Sequence, residues 1–359
     1  MESTQKALIY FQDNLATFMD KYLDLLRIPS VSTDPERKED VQGACEFLAN
    51  YLKNMGMEKV EIFPTEMHPI IVAEKLSGKP GAKTLLIYGH YDVQPPDPLN
   101  EWITPPFEPT FRGDYLYARG ASDMKGQVMA SMIALDSVLR TSELPLNIKF
   151  ILEGEEEIGS PSLEDFIEKH KDLLKCDMIL NPDSGMVAPD SPTLVYGLRG
   201  LVYFELRIDG PKADLHSGLF GGNVANPAIV ISEIIAKLHN PDGSIAVPGF
   251  YDNVLPLTEE EKTKIASSHI SDDTYIKLTG SPKLYGEVGF TALERQGARP
   301  TLDVNGLYSG FIGEGAKTII PAYAKAKISC RLVPNQEPGE IYNLLIKYIA
   351  GLVPDTVRA

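Results

Sequence analysis

Cysteine is scarce in this sequence, and long hydrophobic runs are missing from it. The three cysteines, Cys45, Cys176 and Cys330, lie far apart along the 359 residues, which excludes a disulfide framework or a CxxC zinc site. We expect them to be reduced residues in a reducing compartment. No apolar run approaches the about 18 residues that a membrane-spanning helix needs, and the first residues lack the basic and apolar parts of a signal peptide. These features predict a cytoplasmic protein.

Positive charge is also in short supply. The 34 lysines and arginines are outnumbered by 50 aspartates and glutamates, so the formal net charge is −16. Binding to nucleic acid or to an anionic membrane requires a basic surface that neutralises phosphates. The sequence therefore argues against nucleic acid and membranes as partners. A negative field instead favours the accumulation of small cations.

The first half of the chain alternates between helix and strand patterns. Helices are predicted at 7–27, about 33–55, 126–139 and 162–174, and strands at 60–63, 70–74, 83–90, 115–117, 146–152 and 178–180. This alternation predicts an α/β domain. The Pro/Ser-rich segment 186–193 then predicts a boundary to a second domain.

The second half has a different order of elements. Strands are predicted at 201–208, 301–304 and 322–332, helices at 226–238 and 340–348, and an irregular stretch at about 240–298. Strand, helix, two strands and helix form a small two-layer α+β domain that lacks a closing strand.

Four glutamates crowd into Glu153–Ser160, directly after a predicted buried strand. Such a cluster is commonly a solvated surface, but ligands of α/β folds bind at the carboxyl ends of strands. His90 with Asp92, Asp123 and Asp183 follow other strands or precede a helix in the same way. Histidine and carboxylates together are typical ligands of zinc or a related divalent ion. From this pattern alone, a metal centre and separate structural roles both stay open.

A two-metal phosphoesterase also fits converging carboxylates. Such an enzyme needs basic groups that cradle the phosphate, and the candidate motifs supply only Arg119 and Lys125. The pattern therefore counts against that alternative.

The successive polar motifs resemble those of the dizinc aminoacylase/carboxypeptidase/carnosinase metallopeptidases. The matching segments of the first half are Gly89-His-Tyr-Asp92, Arg119–Gly126, Glu153–Ser160 and Asp183. Those of the second half are Asp214–Gly222, Gly249–Val254, Gly315–Pro321 and Arg331–Asn335, which are similar to carnosinase-like dipeptidases. The resemblance implies a catalytic domain, 1–192, with a mixed central sheet flanked by helices (phosphorylase/hydrolase-like). It also implies a ferredoxin-like lid and dimerisation domain at 193–359.

The resemblance implies a metal-binding role for four residues. Asp123 is expected to bridge two divalent ions, zinc or else manganese or cobalt. His90 and Asp183 are expected to complete the first site, and Glu157 to hold the second ion. The resemblance also implies a cis peptide bond between Asp123 and Met124.

Five further residues receive roles in catalysis or substrate binding. Glu156 is expected to act as the general base toward a metal-bridging water, with Asp92 supporting the histidine ligand. His216 is expected to reach a partner subunit's active site, and Thr318 to contribute across the dimer. Arg331 is expected to clamp the terminal carboxylate of the substrate. Without the resemblance, the residues themselves favour a loop role for His216 and an ion-pair role for Arg331.

The sequence departs from the family pattern near its end. The family places the second ion's last ligand, a histidine, close to the C-terminus, but no histidine follows His269. A glycine-rich substrate loop and the returning segment of the catalytic domain are also missing. We therefore expect a fragment or a natural truncation, in which the lid domain is incomplete. The second ion should bind weakly, activity should be low or lost, and sheet edges should be exposed.

The sequence as a whole favours a metal-dependent dipeptidase that cleaves small peptides and dimerises through its lid domain. An N-acyl-amino-acid deacylase and a carboxypeptidase of the same family are the enzymatic alternatives. A non-catalytic binding module is the alternative from another class.

Overall fold

The computed structural model describes residues 2–186, 192–195, 197–268 and 270–359. The chain divides into two compact units, Met1–Thr193 and Leu194–Ala359. Most of the predicted boundary segment 186–193 lies outside the described residues, as does His269. None of the described helices is long and apolar enough to cross a membrane.

The described residues of the first unit form six α-helices. They are α1 (Ser3–Asp13), α2 (Leu15–Leu26), α3 (Lys38–Met55), α4 (Lys125–Thr141), α5 (Leu163–Lys169) and α6 (Lys171–Leu174). The single opening helix predicted at 7–27 is wrong, because Asn14 (φ −111°, ψ 10°) interrupts it and its side-chain amide donates to the Tyr10 carbonyl. His170 (φ −120°) divides the predicted 162–174 helix into α5 and α6. Asparagine competes for backbone hydrogen bonds, which hydrophobic periodicity does not detect.

A five-stranded mixed sheet forms the centre of this unit. Its strands are β1 (Lys59–Phe63), β2 (Ile70–Lys75), β3 (Thr84–His90), β6 (Asn147–Glu153) and β7 (Met178–Leu180), in the order β1-β2-β6-β3-β7. A separate hairpin pairs β4 (Thr110–Arg112) with β5 (Tyr115–Tyr117). Because β6, β3 and β7 run parallel, their carboxyl ends meet at one edge of the sheet. The residues that follow these strands are therefore brought together.

Alternation along β6 explains why helices cover both faces of the sheet. Phe150 and Leu152 pack on one face in a core with residues of α3 and α4. Ile151 points to the other face, where it packs with Phe166 and Leu174. These findings confirm the predicted α/β domain with a mixed sheet between helices. The edge strand β7 exposes all three of its apolar side chains, as expected for an open sheet edge.

The second unit is a two-layer α+β fold. Its strands β8 (Gly200–Asp209), β10 (Thr301–Ser309) and β12 (Tyr323–Leu332) form an antiparallel sheet in the order β10-β12-β8. Helices α8 (Pro227–Ala236) and α12 (Pro338–Leu352) share a core with one face. A second ribbon pairs β9 (Leu215–His216) with β11 (Ile319–Ile320), and the short helix α7 (Ser217–Phe220) follows β9.

The prediction of an irregular stretch at 240–298 is wrong. It contains the helices α9 (Glu259–Ala266), α10 (Asp272–Thr279) and α11 (Ala292–Ala298). Capping boxes begin two of them, formed by Thr258 with Glu261 and by Thr291 with Glu294. These boxes are visible in the sequence. The helices escaped prediction because they are short and present little apolar periodicity.

Candidate metal centre

His90 ends β3 and is completely buried. Glycine precedes it for a steric reason, since a Cβ at Gly89 would lie 2.6 Å from Val128 of α4. The Nδ1 atom of His90 lies 3.1 Å from the carbonyl oxygen of Asp92 and 3.4 Å from its Oδ1. These contacts hold one edge of the ring and aim Nε2 toward the carboxyl edge of the sheet.

Three carboxylates surround the Nε2 atom of His90. Asp123 Oδ1 lies 3.2 Å away, Asp183 Oδ2 3.7 Å and Glu156 Oε2 3.9 Å. Nevertheless Nε2 is buried and has no hydrogen-bond partner within the described part of the chain. Buried polar atoms are nearly always satisfied, so an unpartnered imidazole nitrogen among carboxylates fits the position of a metal ligand.

Asp123 and Met124 sit at the entry to α4, and the peptide bond between them is cis, as the resemblance implies. Next to them Lys125 is fully buried, and its ammonium group donates to the carbonyls of Leu25 (3.2 Å) and Ile28 (2.7 Å). This lysine ties the start of α4 to the end of α2.

The glutamates after β6 lie in a tight turn beside His90. A Cβ at Gly154 would lie 2.8 Å from the ring of Tyr91, so glycine allows this close approach. The backbone N–H of Glu157 donates to Asp92 Oδ2 at 3.1 Å, and Gln94 donates to Glu157 Oε2 at 2.7 Å. Asp92 therefore supports both the histidine and the turn.

One group of His, Cys, Asp or Glu side chains among the described residues has metal-binding spacing. It consists of His90, Asp123 and Glu157, whose potential ligand atoms lie within 4.8 Å of one another. Glu156 and Asp183 lie close to the same histidine. The structure therefore brings together all the predicted metal ligands and the predicted base.

The charges of this site are unbalanced. Burial raises the pKa values of Glu156, Glu157 and Asp183, and repulsion from Asp123 raises them further. Burial lowers the pKa of His90, but Asp92, Asp183 and Glu156 outweigh it and raise that pKa to about 9. A divalent cation would relieve this repulsion. The donor set, an unsatisfied imidazole nitrogen among carboxylates, thus fits a zinc-type ion.

The predicted substrate-binding residues belong to the second unit. His216 pairs with Ile319 in the β9–β11 ribbon, and the N–H of Ser217 donates to the Thr318 carbonyl at 3.0 Å. The structure therefore places His216 beside Thr318. The imidazole of His216 also accepts from Gly218 N–H at 3.0 Å, which is the local loop contact that the sequence left open.

Arg331 lies on the open face of the three-stranded sheet, opposite Leu201. Arg199, which lies directly before β8, was not identified from the sequence. Burial lowers its pKa, and the charge of Arg331 lowers it further. Its relation to Arg331 follows from the pairing of strands in the fold, so the sequence offered no local signal for this second arginine.

Comparisons with known proteins match this combination of fold and site. A model described as peptidase family M20/M25/M40 matches residues 86–329. The chain is 33% identical over 350 residues to the Cys-Gly metallodipeptidase of Candida albicans, which covers 93% of this chain and 72% of the relative.

Two solved structures have the same fold as this chain. Human carnosine dipeptidase 1 superposes with a TM-score of 0.84 at 30% identity, covering 98% of this chain and 77% of that one. The M20 family metallo-carboxypeptidase Sso-CP2 of Sulfolobus solfataricus superposes with a TM-score of 0.80 at 38% identity, covering 93% and 75%.

Proposed function

The chain belongs to peptidase family M20/M25/M40 and is therefore a metallopeptidase, and we propose that it hydrolyses the amide bond of dipeptides or other small peptides. The observation that carries this proposal is the buried, unpartnered Nε2 of His90 facing Asp123, Asp183 and Glu156. The dipeptidase relatives support the substrate class.

Two ions, zinc or else manganese or cobalt, are the proposed cofactors. His90, Asp123 and Asp183 would hold the first ion, and Asp123 with Glu157 the second. When bound, such ions lower the pKa of water and polarise a carbonyl group. The contact between Asp92 and Nδ1 of His90 supports this assignment, because a histidine held in this way keeps Nε2 free for a metal.

Glu156 is the proposed general base. Its side chain is 39% exposed, so it can reach a substrate while burial raises its pKa. A carboxylate with a raised pKa takes a proton from water more readily and can return it to the leaving amine. This assignment separates Glu156 from its neighbour Glu157, whose ligand atom lies within the metal-binding group.

Residues 193–359, which include the second unit, are the proposed lid and dimerisation domain, and residues 1–192 are the proposed catalytic domain. His216 and Thr318 would contribute to a partner subunit's site in a homodimer. Arg331 would bind the substrate carboxylate through its planar fork. The proposed location is the cytoplasm, supported by the few, separated cysteines.

Peptide hydrolysis in the presence of defined metals tests this function. The purified protein, stripped of metal and then supplied with zinc, manganese or cobalt, should release amino acids from Cys-Gly or β-Ala-His. A chelator should abolish the release, and added metal should restore it. Absence of hydrolysis with every metal would instead support a non-catalytic binding module.

A carboxypeptidase is the second candidate function. The 38% identity to the Sulfolobus solfataricus metallo-carboxypeptidase favours this alternative. A set of peptides of two to six residues separates the two activities. A dipeptidase should act on the dipeptide alone, whereas a carboxypeptidase should release the last residue from every length. N-acetylated amino acids in the same assay test the deacylase alternative.

Arg331→Ala is expected to weaken binding of substrates that have a free carboxylate. Loss of a charged hydrogen bond costs about 1.5–3 kcal/mol, so kcat/KM should fall about 10–100-fold, mainly through KM. A dipeptide amide should be hydrolysed equally by both proteins, because it lacks the carboxylate. Arg207→Ala is a matched control, since Arg207 is paired with Asp209 on the same sheet. An equal loss for acid and amide would contradict the proposed clamp.

Metal titration is expected to resolve one strong and one weak site. His90 is the single histidine in the metal-binding group, and two carboxylates without a nitrogen ligand hold a transition metal poorly. Calorimetric titration of the metal-free protein with zinc should therefore give a first stoichiometric step and a much weaker second one. Two tightly held ions per chain would contradict this expectation.

A further inference from the structure

Glu155 is buried within the turn that follows β6, residues 154–160, which we call the acidic turn, but it lies outside the predicted metal site. Its side chain is 1% exposed, and no ion pair to it is formed by the described residues. Instead, Oε1 accepts from the backbone N–H of His68 at 2.9 Å and the Ser162 hydroxyl at 3.0 Å, while Oε2 accepts from Ser162 N–H at 3.0 Å. The Thr65 hydroxyl also lies 2.7 Å from Oε1. These contacts replace the water that a carboxylate loses on burial.

The groups around Glu155 come from two separate segments. Ser162 precedes α5, whereas Thr65 and His68 belong to the loop between β1 and β2. That loop is itself fixed, because His68 Nε2 lies 3.1 Å from the Ser32 carbonyl and the Tyr91 hydroxyl donates to the Pro69 carbonyl. Glu155 thus attaches the acidic turn to loop 65–69, which these contacts hold in place.

Loop 65–69 is also linked to the candidate histidine ligand, His90. Tyr91, whose hydroxyl holds the loop, directly follows His90 and packs its ring against Gly154. Its backbone N–H donates to the Glu153 carbonyl at 2.9 Å. The loop 65–69 therefore contacts two of the chain segments that carry candidate metal ligands, those of His90 and Glu157.

The backbone of Glu155 holds the turn as well. Its carbonyl accepts from the N–H groups of Ile158 (3.2 Å) and Ser160 (2.8 Å). Ser160 adopts φ of 50°, a left-handed conformation that is unusual for serine. Glu156 and Glu157 lie between Glu155 and the two N–H groups that donate to its carbonyl. Their placement therefore depends on how Glu155 is held.

We propose that Glu155 is a positioning residue, a buried carboxylate anchor that fixes Glu156 and Glu157 relative to the rest of the metal centre through Thr65, His68 and Ser162. This inference rests on the proposed function, in which Glu156 is the base and Glu157 a ligand. Displacement of a reacting group by about 1 Å can cost about 100-fold in rate.

Glu155→Gln tests the anchor without changing the side-chain volume. A glutamine has one acceptor oxygen, so its NH2 group must face either Ser162 N–H or the donors at Oε1. We expect kcat to fall about 10–100-fold with little change in KM, and zinc affinity at the Glu157 site to fall about 10-fold. Kinetics per bound metal and zinc titration of the same samples measure both effects.

Two further variants keep this test sharp. Glu164→Gln changes an exposed glutamate of α5 and should leave kinetics and zinc binding unchanged. Thr65→Val perturbs Glu155 from the loop side, and should lower kcat about 3–10-fold even if Glu155→Gln folds poorly. Combined with Glu155→Gln it should add less than its separate effect, because both act through one contact.

Unchanged kcat per bound metal and unchanged zinc affinity in Glu155→Gln and Thr65→Val would overturn the positioning role, even if thermal stability fell. The wild type distinguishes this failure from failure of the proposed function. If the wild type hydrolyses no peptide, the zinc affinities of the Glu155→Gln and Thr65→Val proteins can still be compared with that of the wild type. If it binds no zinc either, the proposed function and the positioning role are both wrong.

Discussion

Glu156→Gln is expected to lower kcat by about 10²–10⁴-fold, the usual contribution of a general base. Glutamine has almost the shape of glutamate, but it cannot accept a proton from water. The side chain is well placed for this task, since its Oε2 lies 3.9 Å from His90 Nε2 and it is partly exposed. Steady-state kinetics with a dipeptide substrate should show the loss in kcat, with KM nearly unchanged.

Metal content separates the proposed base from a ligand. The Glu156→Gln protein should bind zinc with the wild-type stoichiometry and affinity, because His90, Asp123, Glu157 and Asp183 remain in place. Glu164→Gln on the exposed face of α5 is the matched control and should retain full activity. If Glu156→Gln instead lost zinc in proportion to activity, Glu156 would be a ligand and the base would have to be sought elsewhere.

The elements that position the metal centre could be predicted because their sequence signals are local. The apolar run before His90 and the alternation of Ile148, Phe150 and Leu152 correspond to the strands β3 and β6. The helix break at Asn14 could not be predicted from periodicity, since apolar residues recur at helical spacing on both sides of it, at Leu8, Phe11, Leu15 and Phe18. Hydrophobic periodicity reports burial and is insensitive to a single local hydrogen bond.

Within the metal centre, the sequence identified the candidate residues, but it could not predict most of the contacts between them. The resemblance implied that Asp92 supports His90, and Asp92 indeed contacts Nδ1. The sequence alone could not distinguish Glu155 from its neighbours, because the difference depends on Thr65 and Ser162. Thr65 is 90 positions away along the chain, so this contact follows from the tertiary fold.

His90→Ala is expected to abolish hydrolysis by removing the one nitrogen ligand of the metal-binding group. Loss of a carboxylate that supports a histidine ligand typically costs 10–100-fold in metal affinity, so Asp92→Asn should weaken zinc by about that factor. His90→Ala should weaken it more, because the ligand itself is lost. Zinc titration of the two variants, followed by activity at saturating zinc, measures this order.

Thermal unfolding gives a second, independent measure of the same site. A ligand at about 100 times its Kd stabilises the folded state by about 2.7 kcal/mol, so a chelator should lower the Tm of the wild type. The Tm of His90→Ala should not respond to the chelator. His170→Ala is a suitable control, since His170 contacts the rings of Phe63 and Phe166 and lies in no candidate site; its chelator response should be that of the wild type. A full chelator response in His90→Ala would show that zinc stabilises the protein at a different site, and the assignment of His90 would then be wrong.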